Sequence, residues 1–355
     1  MTPGPAQGSR DALVATLLDL LAIPSVTAEE RALCDHVQAR LQRRFARTVR
    51  ANDSVVAGQL EDDGRPLLVL LGHLDTVPGD TRPGRVDGER VYGLGASDMK
   101  SGLAVMLELA DRLPDDGATR LAFAFYSFEE TDYDLSGLPE LLQAAPSLLD
   151  AALGVCLEPT DGELHLGCVG SLHARLTVRG RNAHSARPWQ GDNAIYKALP
   201  LLQDLAAVRP TDVVQGGLTF RNVTTVTQAE AGGGRNVVPG LFELNVNVRF
   251  APGGSQEEAE AELGRLVDDR AEITIVDGAP SAPVPVGNPL LDRLGAGLTT
   301  LPKQAWTDVA RLAQAGIPAC NLGPGETGQA HQPGEWCEIE PMVAIYERLA
   351  ALAIG

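Results

Sequence analysis

The chain has 355 residues, more than one typical domain, and 44% of them are apolar, which is enough for a sizeable core. Its formal net charge of −18 disfavours nucleic acid or an anionic membrane as a partner, because both attract basic surfaces. The five cysteines, an odd number without a C-x-x-C pair, disfavour a disulfide framework. We expect a cytoplasmic protein without a signal peptide or a membrane span.

The first part of the chain alternates between two kinds of apolar segment. Hydrophobic periodicity predicts helices over residues 11–22, 28–44 and 99–113, and buried strands over residues 66–71, 121–128 and 152–157. Thr27 and Glu30 have the spacing of a capping box for the second helix. Strands that alternate with helices indicate an α/β layered sheet, and such sheets usually bind ligands at the ends of their strands.

The pattern changes after about residue 170. Strands are predicted over residues 171–178, 222–228, 241–250 and 271–276, and helices over residues 193–207 and 256–267. This composition indicates a small α+β unit, and a Pro-rich stretch closes it. We therefore predict that residues 171–283 form a domain inserted into a first domain of residues 1–170 and 284–355.

Histidine and acidic residues follow the predicted strands. His73 ends an apolar run and Asp75 follows, where its carboxylate could hydrogen-bond the far side of the imidazole, as in many metal sites. The alternative is a histidine that caps a turn. Glu129 and Glu130 end another strand and could divide two tasks, one as a metal ligand and one as a proton carrier. A solvated pair of loop acids is the alternative.

Three further candidates for metal ligands also have an alternative structural role. Asp98 could be a helix N-cap, Glu158 a solvated turn acid and His331 a surface histidine. The whole set of two histidines and several carboxylates is more specific than any member. Such a set suits Zn, Mn or Co, and hydrolases often hold two such ions about 3.5–4 Å apart. The chain has neither a G-x-S-x-G elbow nor a Walker A string, so a serine hydrolase or a phosphate-binding loop is disfavoured.

Several motifs occur in a distinctive order, namely GHLDTVP (72–78), GLGASDMKSGLA (93–104), FEE (128–130), LEPT (157–160) and the late His331. Together they resemble the co-catalytic zinc amidohydrolases of the aminoacylase and glutamate carboxypeptidase kind. RNAHSARPWQGDNAIYK (181–197) and GGGRNVVPG (232–240) resemble the dimerisation, or lid, domain of that family. The resemblance implies an α/β fold, with a zinc-peptidase-like α/β/α catalytic domain and an inserted α+β, ferredoxin-like dimerisation domain.

The resemblance also implies how two zinc ions would be held, with cobalt or manganese as possible substitutes. His73 and Glu158 would bind one ion, and Glu130 and His331 would bind the other. Asp98 would bridge the two ions.

Further residues would serve the reaction itself. Glu129 would be the general base, and Asp75 would orient the histidine two residues before it. His184 would reach from the partner subunit of a homodimer to stabilise the oxyanion, although a solvated loop histidine is the alternative. Substrate contacts are implied for four more residues: Asn236, Arg249, Thr307 and Arg311. For Arg249, a simple ion pair within its sheet is the alternative.

The substrate implied is a small N-acyl amino acid. Residues 303–311 and 321–325 resemble the branch of the family that hydrolyses N-succinyl-LL-2,6-diaminopimelate for lysine synthesis. N-acetylornithine, another N-acyl amino acid or a dipeptide stays open, because Phe128 precedes the acid pair and the loop at 131–136 is acidic. The charge of −18 disfavours an acidic carrier protein as substrate. A non-catalytic binding protein would lack a ligand or the base, yet every expected position is filled.

Overall fold

The structure is a computed structural model that describes residues 5–355. The expectation about a signal peptide involves residues 1–4, which lie outside the described residues. In the described part of the chain, no helix is both long enough and apolar enough to cross a bilayer.

The described residues contain the following α-helices and β-strands. The helices are α1 Pro5–Leu21, α2 Arg31–Leu41, α3 Ser101–Arg112, α4 Leu138–Ala144, α5 Ala194–Ala207, α6 Gln256–Val267, α7 Pro289–Leu294, α8 Val309–Gln314 and α9 Ile339–Ile354. The strands are β1 Thr48–Ala51, β2 Ser54–Gly58, β3 Leu67–His73, β4 Arg85–Asp87, β5 Arg90–Tyr92, β6 Arg120–Tyr126, β7 Leu153–Cys156, β8 Leu164–Leu166, β9 Gly170–Arg179, β10 Ala183–His184, β11 Thr211–Gln215, β12 Leu218–Ala231, β13 Val237–Val238, β14 Leu241–Phe250, β15 Glu272–Ala279, β16 Thr300–Pro302, β17 Ala319–Asn321 and β18 Trp336–Glu338.

The chain divides into two compact units. The first contains the described residues up to Gly167 together with Pro285–Leu301 and Thr307–Gly355. The second contains Cys168–Val284 and Pro302–Trp306. The assignment of residues 1–170 and 284–355 as the catalytic domain, and of residues 171–283 as the dimerisation domain, stays a prediction.

The first unit is built on an eight-stranded mixed sheet with the order β1-β2-β6-β3-β7-β17-β8-β16. Its centre is parallel, because β3 pairs in parallel with β6 and β7, and β17 pairs in parallel with β7. Every residue of β3, β6 and β7 is buried, as expected for parallel strands covered on both faces. Helix α3 packs against α1 and α9. This arrangement confirms the predicted α/β sheet.

The second unit has an antiparallel sheet with the order β11-β12-β14-β9-β15. Strand β14 alternates between buried and partly buried residues. Helices α5 and α6 pack on its buried face, where Leu201 of α5 and Leu263 of α6 belong to the same core as Leu244 of the strand. The chain order β9-α5-β12-β14-α6-β15 and the strand order β12-β14-β9-β15 are those of a ferredoxin-like fold, to which β11 adds an edge strand. The prediction of an α+β unit of this type is confirmed.

One local prediction was wrong. The predicted capping box of Thr27 and Glu30 does not form: helix α2 begins at Arg31, and its N-cap Glu30 makes no side-chain capping bond. Instead, the Thr27 hydroxyl donates to the Asp75 carboxylate at 3.2 Å, and the Glu30 carboxylate accepts from the backbone N–H of Phe128 at 3.1 Å. Tertiary bonds to the loops after β3 and β6 thus replace the local cap.

Candidate metal centre

The candidate side chains of the first unit follow the ends of its central strands. Strand β3 ends at His73. Glu129 and Glu130 come shortly after β6, and Glu158 comes shortly after β7. Because β6, β3 and β7 are parallel neighbours, their carboxyl ends meet at one edge of the sheet.

Asp98 lies between two histidines. Its Oδ1 is 3.3 Å from Nε2 of His73, and its Oδ2 is 3.6 Å from Nε2 of His331. Around the first histidine, Glu158 Oε1 lies 3.9 Å from Nε2. Around the second, Glu130 Oε1 lies 2.9 Å from Nε2. The two oxygens of one carboxylate therefore face two different groups of ligand atoms, which is the arrangement that a bridging ligand needs.

Three overlapping sets of side chains have ligand atoms within 4.8 Å of one another: His73 with Asp98 and Glu158, Asp98 with Glu130 and His331, and His73 with Glu129 and Glu130. The first two are the sets that the sequence analysis assigns to two zinc ions. The third includes Glu129, the predicted base. The fold thus brings all six of these residues together, although they are spread over residues 73–331 of the sequence.

The donor atoms of His73 fit a bound cation. Its Nδ1 is 2.9 Å from the backbone carbonyl oxygen of Asp75, and a carbonyl oxygen can only accept, so Nδ1 carries the hydrogen. Nε2 of the neutral ring is then a lone-pair atom directed at the Asp98 and Glu158 carboxylates. Acceptors that face one another in a buried site require a cation between them, either a proton or a metal ion. Imidazole and carboxylate ligands together suit Zn, Mn or Co.

The electrostatics of the cluster favour positive charge. A hydrogen bond to Glu130 raises the pKa of His331 to about 9. Burial alone lowers the pKa of His73, but its contacts with Asp75 and Asp98 raise that pKa well above its ordinary value. Burial raises the pKa of Glu129 well above its usual range, and the nearby Glu158 carboxylate raises it further. The site therefore carries an excess of negative charge that bound cations would neutralise.

Asp75 contacts the acid pair more closely than it contacts the imidazole. Its Oδ1 accepts from the backbone N–H of Glu129 at 3.0 Å, and its Oδ2 accepts from that of Glu130 at 2.9 Å. The nearer carboxylate oxygen is 3.6 Å from Nδ1 of His73, whereas the backbone carbonyl is at 2.9 Å. The carbonyl thus makes the contact to the ring that the sequence analysis expected from the carboxylate. The carboxylate holds the loop of the acid pair.

Two further buried acids at this edge, Glu30 and Glu335, are not predicted from the sequence as parts of the site. Glu30 binds the backbone N–H of Phe128, a residue with a φ of +62°, which bulky side chains rarely adopt. Glu335 accepts hydrogen bonds from the turn that carries Asp98. Glu30 carried a misleading local signal, the capping box. For Glu335, the only signal in the sequence was its position four residues after His331.

Two predicted substrate contacts, Thr307 and Arg311, are buried in the first unit. The guanidinium of Arg311 pairs with Asp308, with Nε 2.6 Å from Oδ1. It also stacks 3.7 Å from the ring centre of Tyr133 and donates to the carbonyl oxygen of that residue. These contacts tie α8 to the loop that follows the acid pair. The roles of Thr307 and Arg311 toward a substrate stay predictions.

The other predicted residues, His184, Asn236 and Arg249, lie in the second unit. His184 is exposed, and its Nδ1 accepts from the backbone N–H of Ala186 at 3.1 Å, so its Nε2 carries the hydrogen and can donate. The backbone carbonyl of Asn236 accepts from Ser185 at 2.9 Å, which brings these two motifs side by side. Arg249 is partly buried, and its Nε donates to Asn247 at 2.8 Å.

A parallel-centred sheet with mixed histidine and carboxylate sets at its strand ends is the architecture of a metal-dependent hydrolase. Residues 69–354 match the profile of Peptidase family M20/M25/M40, and the chain belongs to this family. The YxeP protein of Bacillus subtilis, described as a dinuclear metal-binding peptidase of the M20 family, has the same fold. Its TM-score is 0.68 at 16% identity, and the match covers 98% of each chain.

Relatives with higher identity include two bacterial proteins. Succinyl-diaminopimelate desuccinylase of Corynebacterium glutamicum is 35% identical over 340 residues, which cover 92% of each chain. A Mycobacterium tuberculosis protein is 37% identical over 324 residues, which cover 90% of each chain. The predicted resemblance to the family of zinc amidohydrolases is confirmed.

The contacts of Asp75 give a first prediction. In Asp75→Asn, an amide N–H would replace one of the two oxygens that accept from the acid-pair backbone, so the loop of Glu129 and Glu130 would shift. We expect zinc affinity to fall about 10–100-fold, the usual cost of losing a group that supports metal ligands. Competition titration of the apoprotein with a chelator measures this. Asp80→Asn, which removes an exposed acid paired with Arg82, is the control and should bind zinc as the wild type does. Wild-type affinity in Asp75→Asn would contradict the assignment.

Proposed function

We propose that the enzyme hydrolyses N-succinyl-LL-2,6-diaminopimelate to succinate and LL-2,6-diaminopimelate. Metal-dependent hydrolysis is inferred from the position of Asp98 between two sets of histidine and carboxylate side chains. The 35% identity to the Corynebacterium glutamicum desuccinylase over nearly the whole chain supports the choice of substrate. The identity of the substrate is thus inferred from a relative, whereas the hydrolytic chemistry is inferred from the site.

Five residues are proposed to hold two zinc ions: His73, Asp98, Glu130, Glu158 and His331. When bound there, the ions would supply Lewis acidity toward the amide carbonyl and the attacking water. Each histidine presents Nε2 to at least two carboxylates, and Asp98 presents one oxygen to each side. Cobalt or manganese would suit the same ligands.

Glu129 is proposed as the group that moves the proton. It would take a proton from the attacking water and give it to the leaving amine, so its carboxyl must change protonation state during each cycle. Burial and the neighbouring carboxylates raise the pKa of Glu129 well above its usual range, so its carboxyl binds a proton more readily than an exposed one does. Asp75 would fix the position of Glu129 through the backbone N–H that it accepts.

Five further residues are proposed to bind the acyl amino acid and the developing negative charge. The Nε2–H of His184 is suited to donate to an oxyanion, and we propose that it does so across a homodimer. Burial lowers the pKa of Arg249, and a desolvated guanidinium is suited to pair with a substrate carboxylate. Asn236, Thr307 and Arg311 complete the proposed substrate contacts.

A cytoplasmic location is also proposed. All five cysteines lie in the described residues, where each is a free, buried thiol. Free thiols are usual in proteins of reducing compartments, whereas secreted proteins usually oxidise them. The substrate class, a biosynthetic acyl amino acid, fits the same location.

Glu129→Gln tests the mechanism. The amide keeps the size of the side chain but cannot accept and return a proton, so kcat should fall by about 10²–10⁴-fold while zinc content is retained. Metal analysis and steady-state kinetics on the same preparation measure both quantities. Glu61→Gln, which changes an exposed acid of the loop before β3 in the same way, should leave kcat unchanged. Loss of zinc from Glu129→Gln would require the roles of Glu129 and Glu130 to be exchanged.

The substrate is tested by comparing kcat/KM for N-succinyl-LL-2,6-diaminopimelate and N-acetylornithine. We expect a strong preference for the succinyl compound, because its extra carboxylate gives Arg249 a partner that the acetyl compound lacks. A preference for N-acetylornithine would reject the proposed substrate and keep the proposed metal ligands. N-acetylornithine is the alternative to test because Asp132 and Asp134 are exposed acids of the loop after the acid pair. Acidic side chains in this loop disfavour an anionic acyl group.

A further inference from the structure

Glu335 is a buried acid that binds a turn of the metal centre. Its side chain is 4% exposed. Oε1 accepts from the backbone N–H groups of Ser97 at 2.7 Å and Asp98 at 2.8 Å, and Oε2 accepts from that of Gly95 at 2.7 Å. One side chain thus binds three backbone N–H groups of the turn that carries Asp98, and these hydrogen bonds restrain the position of that turn.

The same residue joins that turn to the segment of His331. The carbonyl oxygen of Glu335 accepts from the backbone N–H of Gly93 at 3.0 Å. Its own N–H donates to the carbonyl of Gln332 at 3.2 Å, which closes the turn after His331. Residues 93–98 and 331–335 are therefore connected through one side chain and one peptide group.

This connection fixes the two ligands that face each other across the exposed side of the site. Asp98 Oδ2 lies 3.6 Å from Nε2 of His331, and that histidine is 52% exposed, so little packing holds its ring. Its backbone φ of +61° is also uncommon for a residue with a side chain. The hydrogen bonds of Glu335 connect the backbone segments that carry these two residues.

We propose that Glu335 is a positioning residue that holds Asp98 and His331 at the separation required by the second metal ion. This inference rests on the metal ligands of the proposed function. Glu335 would act through Asp98 and His331 and would touch neither metal nor substrate. A purely structural tie would stabilise the fold without changing the affinity of the folded apoprotein for zinc.

Zinc affinity in four variants separates these possibilities. Glu335→Ala removes all three acceptor bonds, and we expect it to weaken zinc binding about 10–100-fold. Glu335→Gln keeps an oxygen for Ser97 and Asp98 but places an amide N–H against Gly95, so its affinity should lie between those of the wild type and Glu335→Ala. Glu338→Gln, which alters a partly exposed acid paired with Arg90, is the matched control and should bind zinc normally.

Asp98→Asn supplies the reference for the loss of the bridging ligand. Chelator competition on the folded apoproteins gives each affinity, and circular dichroism shows that each variant is folded. Wild-type affinity in Glu335→Ala, beside a large loss in Asp98→Asn, would overturn the role of Glu335 and keep the proposed function. Normal zinc binding in Asp98→Asn would overturn both. If Glu335→Ala does not fold, wild-type affinity in Glu335→Gln would overturn the proposal.

Discussion

Repulsion among crowded carboxylates is the constraint on which this structure depends. Asp98, Glu130 and Glu158 approach two imidazoles within 2.9–3.9 Å, and Glu129 lies within the same cluster. Carboxylates whose ligand atoms lie within 4.8 Å of one another repel in a partly buried site unless cations neutralise them. Without metal ions this environment favours bound protons, and the pKa values of His331 and Glu129 are raised accordingly. The same field makes the edge of the sheet a strong site for divalent metal ions.

Backbone N–H groups bind a second set of acids around the cluster. Three buried acids outside the proposed ligand set each bind the main chain of a loop that carries ligands: Glu30 binds Phe128, Asp75 binds the acid pair, and Glu335 binds the turn of Asp98. These bonds hold the loops in shape before any metal arrives. The site is therefore built in two layers, in which the outer acids fix the backbone and the inner acids stay available as ligands.

The sequence predicts the sheet well, because parallel strands buried on both faces read as continuous apolar runs, and the candidate site residues follow the ends of those runs. His73, Glu129 and Glu158 are candidates of this kind, and their roles stay predictions. The supporting roles of Glu30 and Glu335 could not be found, because each acts on a segment far away in the chain: Glu30 lies 98 residues from Phe128, and Glu335 lies 237 residues from Asp98. The capping-box signal of Thr27 and Glu30 was overridden by such tertiary bonds. Arg311, a predicted substrate contact, also pairs with Asp308 of its own unit, and no local pattern of the sequence indicates that pairing.

The central claim is that Asp98 bridges two metal ions. Anomalous X-ray diffraction from crystals of the zinc-loaded enzyme, recorded on both sides of the zinc absorption edge, tests it most directly. The account predicts two peaks about 3.5–4 Å apart. One peak should be bound by His73 and Glu158, the other by Glu130 and His331, with one oxygen of Asp98 on each. A single peak at full zinc occupancy, or two peaks that Asp98 does not join, would contradict the account.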